Sequence, residues 1–291
     1  MKKYKVICPL YNFQIPNVLL GPHKLSPEEV MNFFKEQEKK LVEGINLVDG
    51  VKIRRISKED LEDLKSMFFP LPSDIRLSSN MFVLAKCITG DAHEFKTAQI
   101  MGNVVLAMRL LKSGYVSGSY VFYVLISEKR KMDSWVWNEE RRRETWGLGY
   151  ALNFDEIPAL RKIVEKLQGV DFAKRKRLHL ACKRFERAYE EVDFKDQLID
   201  LMIAFEALFV RRETAGSSQK QKIANGCSDL LGRNEEEKEE IKCFLLKARY
   251  IRDLIAHGAE YKLKDTIGKY DIDFVPKLED YLRDSIKKLL D

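Results

Sequence analysis

Arg252 and His257 stand five residues apart in the stretch Arg252-Asp253-Leu254-Ile255-Ala256-His257-Gly258, which closes a strongly helical run beginning near Asn234. An arginine is always charged and presents a planar fork that can hold two phosphate oxygens, while a histidine can move a proton near neutral pH. Together these residue types suit holding an anion such as a phosphate and moving a proton beside it. The same letters also have an ordinary reading. Gly258 suits the position just past a helix C-terminus, and a histidine in the last turn meets the negative end of the helix dipole.

The spacing restricts the chemistry. Five residues at about 100° each set Arg252 and His257 roughly 140° apart around a regular helix, so they do not share a face. Asp253 and His257, four apart, do share one. Either the helix loosens near Gly258, or two copies meet so that the arginine of one chain works beside the histidine of the other.

The elements that must hold these groups can be read from the rest of the chain. Its 291 residues, 45% hydrophobic and 33% charged with eight prolines, are enough for two folded domains. No run of roughly 18 apolar residues occurs, so no spanning helix is expected. The basic start Met1-Lys2-Lys3 leads into too short an apolar core for a signal peptide, which makes a cytoplasmic home the expectation. The five cysteines are scattered without a Cys-x-x-Cys pair and read as reduced, mostly buried thiols. No metal site and no cofactor is expected. A net charge of +6, most of it in the first 150 residues, permits a polyanionic partner without demanding one.

The fold class is α+β, with a mixed α/β domain over residues 1–150 and an all-α bundle over 151–291. Strands are expected at Tyr4 to Leu10, Asn17 to Leu20, Val51 to Ile56, Met81 to Ile88 and Tyr120 to Ile126. Helices are expected from Pro27 to Val42 behind a Ser26 cap, from about Ser57, and from Phe95 to Leu111. Pro70 to Ser73 marks a loop. Between Ser127 and Asn153 the pattern breaks, and Arg141, Arg142 and Arg143 are interleaved with Trp135, Trp137, Trp146 and Tyr150. That mixture is either an RNA-contacting segment or an interdomain strap whose tryptophans dock on the core.

From Glu156 onward the chain reads as helix after helix, starting with Ile157 to Leu167. The segment Asp196 to Val210 is apolar almost all round, as a central helix must be, which makes Asp200 and Glu206 anomalies that need arginine partners such as Arg187 or Arg249. Lys174, Arg175, Lys176 and Arg177 form a basic run that either grips a nucleic-acid backbone or is a solvated face.

Three blocks in order, Leu178 to Tyr189, Gln197 to Phe209 and Tyr250 to Gly258, resemble the Apea-like branch of the HEPN superfamily over roughly residues 155 to 290. The resemblance implies a bundle of about five helices, a symmetric homodimer and a metal-independent endoribonuclease, with a toxin or defence role. Its Arg-x4-6-His motif falls on Arg252 and His257, with Asp253 at the polar position that follows the arginine. The expected roles are then His257 as general acid/base, Arg252 on phosphate and Asp253 orienting the imidazole. Glu206 and Asp200 are supporting residues, and Glu206 is the candidate for holding Arg252. Expected partners are RNA, a second copy, and an antitoxin or regulatory protein. The alternative is an inactive HEPN module that binds RNA or a protein and cuts nothing.

Overall fold

The computed structural model describes residues 3–16, 27–67, 78, 80–89, 94–118, 120–126, 132–137, 149–191, 193–210, 219–258 and 273–291. The chain divides into two compact units, Met1–Arg109 with Gly114–Gln168, and Leu110–Ser113 with Gly169–Asp291. The architecture is α+β, a sheet-bearing unit followed by a helical one.

The first unit contains β1 (Lys3–Leu10), β2 (Phe13–Gln14), α1 (Pro27–Glu43), β3 (Ile45–Asn46), β4 (Lys52–Arg55), α2 (Lys58–Met67), β5 (Phe82–Thr89), α3 (Glu94–Leu111), β6 (Tyr120–Leu125), β7 (Met132–Trp137), β8 (Tyr150–Ala151) and α4 (Ile157–Gly169). Six strands form an antiparallel sheet in the order β3-β4-β5-β1-β6-β7, and β2 pairs in parallel with β8. The apolar run of β1 puts it second from neither edge but inside the sheet, with Val6, Ile7 and Cys8 buried. One face carries Ile7, Val83, Phe122 and Val124 against Leu64 of α2. On the other, a Cβ added to Gly118 would lie 2.9 Å from Val105 of α3 and 3.0 Å from Cys8, so only glycine allows that approach.

Asp60 fixes α2 to the sheet. Its backbone N–H donates to the Ser57 hydroxyl at 3.0 Å, and its carboxylate accepts from the Ser57 N–H at 3.1 Å, a reciprocal cap at the start of the helix expected from about Ser57. The same carboxylate lies 2.7 Å from Lys5 on β1 and also binds Arg54 on β4. Burial alone would raise its pKa. The hydrogen bonds from Arg54, Lys5 and Ser57 outweigh that and hold it well below the usual carboxylate range.

Two expectations need correction. The stretch after Ser127 is not irregular throughout, because Met132–Trp137 forms the edge strand β7, with Trp135 opposite Phe122 in the register. Its aromatic and β-branched residues favour an extended chain, and the neighbouring charge runs masked that preference. The helix expected to open the bundle, α4, belongs to the first unit. Arg161 donates to the Asn46 carbonyl at 2.9 and 2.6 Å, and Gln168 to Asp49 at 3.1 Å, so the division falls after Gln168 rather than after Tyr150. The expected strand at Asn17 to Leu20, the loop at Pro70 to Ser73, Trp146 and the run Arg141, Arg142, Arg143 lie outside the described residues.

The second unit is a bundle of α5 (Lys176–Ala188), α6 (Phe194–Phe209), α7 (Gln219–Leu231), α8 (Glu235–Ala256) and α9 (Phe274–Leu290). As its composition requires, α6 is central and packs on all four others. Leu198, Leu201, Met202, Ala204 and Phe205 are buried. Asp193 caps α6 by accepting from the Lys195 N–H at 2.9 Å, and Asn234 caps α8 by accepting from the Glu237 N–H at 2.8 Å. Gly258 ends α8 at φ +68°, in the left-handed region that glycine enters without strain. No helix among the described residues is long and apolar enough to cross a membrane.

Replacing Asp60 by Asn should lower the free energy of unfolding by about 3 kcal/mol, because Lys5 and Arg54 lose their shared counter-ion. Because the folded-state pKa is depressed, this contribution is complete above the ordinary carboxylate value and is lost progressively as pH falls from about 4 toward the depressed folded-state value. The gap between the urea melts of parent and variant should therefore be narrower at about pH 3 than at neutral pH. A gap that stays constant would assign the loss to something other than the charge.

Candidate active site at the end of α8

The C-terminal two turns of α8 present Arg249, Arg252 and Asp253 to α6, where Glu206 meets them. Positions 249, 252 and 253 share one side of a helix, because spacings of three and four bring side chains together. The Glu206 carboxylate accepts from Arg252 Nη2 at 2.6 Å, and the same oxygen, Oε1, contacts Arg249. Asp253 Oδ1 lies 3.2 Å from Arg252 Nη1 and 3.2 Å from Arg249 Nε. Two guanidinium groups thus enclose two carboxylates. All four side chains are partly buried, from 11% exposed for Arg249 to 26% for Glu206 and Asp253. Burial, with the charge of Arg252 next to it, pushes the pKa of Arg249 down despite the opposing pull of Asp253.

His257 stands apart from this cluster. It is exposed and ends the helix with φ −99° and ψ 8°, and its backbone N–H still reaches the Asp253 carbonyl at 3.1 Å. The helical repeat therefore holds as far as His257. The Asp253 carboxylate, expected to orient the imidazole, is engaged by the two arginines instead. Among the described residues the imidazole has no hydrogen-bond or ion-pair partner.

The expected holder of Arg252, Glu206, is in place, and Arg249 is the addition. From sequence Arg249 stood only as a generic counter-ion for a buried acid. The signal that marks it is its position three residues before Arg252 and four before Asp253, which puts it on the face that α6 must satisfy.

Asp200 belongs to a separate pair. It is buried and lies 2.7 Å from Arg184 and 3.2 Å from Arg187, both on α5. This ties α5 to α6 and leaves Asp200 out of the α8 cluster.

The basic run before α5 is largely spent on helix ends. Arg177 donates to the carbonyls of Ala207 and Leu208 at 2.7 and 3.1 Å, closing the C-terminus of α6, and Arg175 donates to the Leu289 carbonyl near the end of α9. Cations placed there meet the negative ends of both helix dipoles. Lys174 lies 3.3 Å from Asp171, and Lys176 is exposed. With Leu208 and Leu289 these residues line a shallow pocket of about 280 Å³.

Among the described residues no group of three or more His, Cys, Asp or Glu side chains is arranged to hold a metal ion. Cys8, Cys182 and Cys227 are buried, whereas Cys87 and Cys243 are exposed. Burial pushes the thiols of Cys182 and Cys227 up to about 12, which leaves them protonated and unreactive. The chain matches no protein-family model, no curated protein and no solved structure.

The two kinds of basic residue should respond differently to truncation. Arg177→Ala should cost about 2 kcal/mol of stability by releasing two helix-end carbonyls, whereas Lys176→Ala should leave the urea midpoint where it is. Equal midpoints for both variants would remove the capping role.

Proposed function

We propose that this chain is a metal-independent endoribonuclease of the HEPN type, working as a homodimer with a composite Arg/His site. The observation that carries the reading is the pairing, at one helix end, of a held guanidinium with an exposed imidazole. Arg252 is oriented by Glu206 and Asp253, as a phosphate clamp requires, and His257 is exposed, as a group that exchanges protons with RNA must be. His257 activates the 2′-hydroxyl or protonates the leaving oxygen, and Arg252 holds the charge on phosphorus. Asp253 acts by holding the arginines.

Two features support completion by a second copy. The His257 N–H bond to Asp253 keeps the helix regular, so the separation of roughly 140° between Arg252 and His257 stands. Leu246 and Tyr250 are exposed at 40% and 46%, and Tyr250 stands two helical turns before His257 on the same stripe of α8. A partner helix covering that stripe would bring a second motif alongside. On this reading the enzyme acts in the cytoplasm as a toxin or defence effector, with RNA as substrate and an antitoxin or regulatory protein as its brake. A second reading, an inactive module that binds RNA or a protein, is favoured by one observation: both sides of the Arg252 fork are already taken by carboxylates.

Incubation with total RNA in the presence of a chelator separates the readings. The parent should generate new RNA ends, and His257→Ala and Arg252→Ala should each reduce cleavage by about 10² or more, with helical content and dimer mass unchanged. Variants that cut as well as the parent would remove the assignment, and loss of parent activity in chelator would overturn the metal-independent mechanism. RNA binding without new ends would favour the binding module.

A further inference from the structure

Arg249 and Arg252 converge on one carboxylate that neither shares a helix with. Glu206 Oε1 is 2.6 Å from Arg252 Nη2 and in contact with Arg249 Nη1, so any group that replaces that carboxylate meets both guanidinium groups. A phosphodiester resembles a carboxylate in the way that matters here, with a single negative charge shared by two oxygens that accept hydrogen bonds from a fork. Asp253 sits on the same helix turn as the arginines and stays with them. Glu206 comes from the other helix, α6, and is 26% exposed. Burial and then the charge of Arg252 disfavour the charged form of Arg249, and an anion between the two guanidinium groups offsets their mutual repulsion.

We infer that Arg249 is a second phosphate-binding arginine of this site, and that RNA phosphate enters by displacing the Glu206 carboxylate from both forks. This rests on the endoribonuclease reading above. In the resting chain Glu206 neutralises the arginines and holds them in place; in the complex the phosphate takes over both contacts.

The test uses a 2′-O-methylated oligoribonucleotide, which offers the same phosphates but no nucleophilic hydroxyl, with binding read by fluorescence anisotropy across a salt series. Glu206→Gln keeps the size of the side chain and removes the competing charge, and it should bind about 3- to 10-fold more tightly than the parent. Arg249→Gln and Arg252→Gln should each weaken binding and reduce the salt slope by about 0.7, the value for one contact to a single strand. Circular dichroism checks that each variant is folded. If Arg249→Gln keeps the parent affinity and slope while Arg252→Gln loses both, Arg249 is not a phosphate ligand and the endoribonuclease reading survives. If Glu206→Gln binds more weakly or equally well, the exchange is wrong, and this arm decides alone should Arg249→Gln lose its helical signal. If Arg252→Gln binds as the parent does, the reading of the site and the inference fall together.

Discussion

Glu206 is the hinge pin between α6 and the C-terminal turns of α8. It is an acid placed on the most apolar helix of the chain, and a carboxylate there cannot go without partners. Its demand is met by two arginines from α8 rather than one, and the second brings a further carboxylate, Asp253, to restore neutrality. This bracket sets the register of α8 on α6 and fixes the direction of Arg252. A single ion pair would have served the packing. Two cations on one carboxylate make a place where an anion is already expected by the geometry.

Much of this was legible from sequence. The apolar circumference of α6 announced a central helix, and the helical run from near Asn234 with Gly258 past its end set both limits of α8. Glu206 and Asp200 stood out as charges on an apolar surface. What the letters could not give was which arginine each acid takes. Arg184, Arg187, Arg249 and Arg252 are equally long and equally charged, and the choice depends on how α5 and α8 rotate against α6, a property of the packed bundle rather than of any one segment. The same limit explains the basic run before α5. Four cations in a row look like a surface for polyanions until two helix C-termini arrive beside them.

The sheet unit shows the complementary failure. The strands inside the sheet were marked by apolar runs, whereas β7, at the edge, was hidden among charges that an edge strand tolerates. The helix α4 has the amphipathic pattern of a bundle helix, and only its hydrogen bonds to Asn46 and Asp49 assign it to the sheet. Periodicity reports which face a helix buries but not what buries it.

The division of labour at the end of α8 is what the proposed mechanism depends on. Arg252 is turned toward α6 and held there, His257 is exposed at the helix end, and on the proposed reading the regular helix between them leaves one phosphate to be served by two chains. Mixing Arg252→Ala chains with His257→Ala chains, each inactive alone, addresses this directly. In random pairing half the dimers are mixed, and each mixed dimer has one of its two composite sites intact, so about a quarter of the parent ribonuclease activity should return. No recovery at any mixing ratio, with subunit exchange confirmed, would mean that the chains do not share a site.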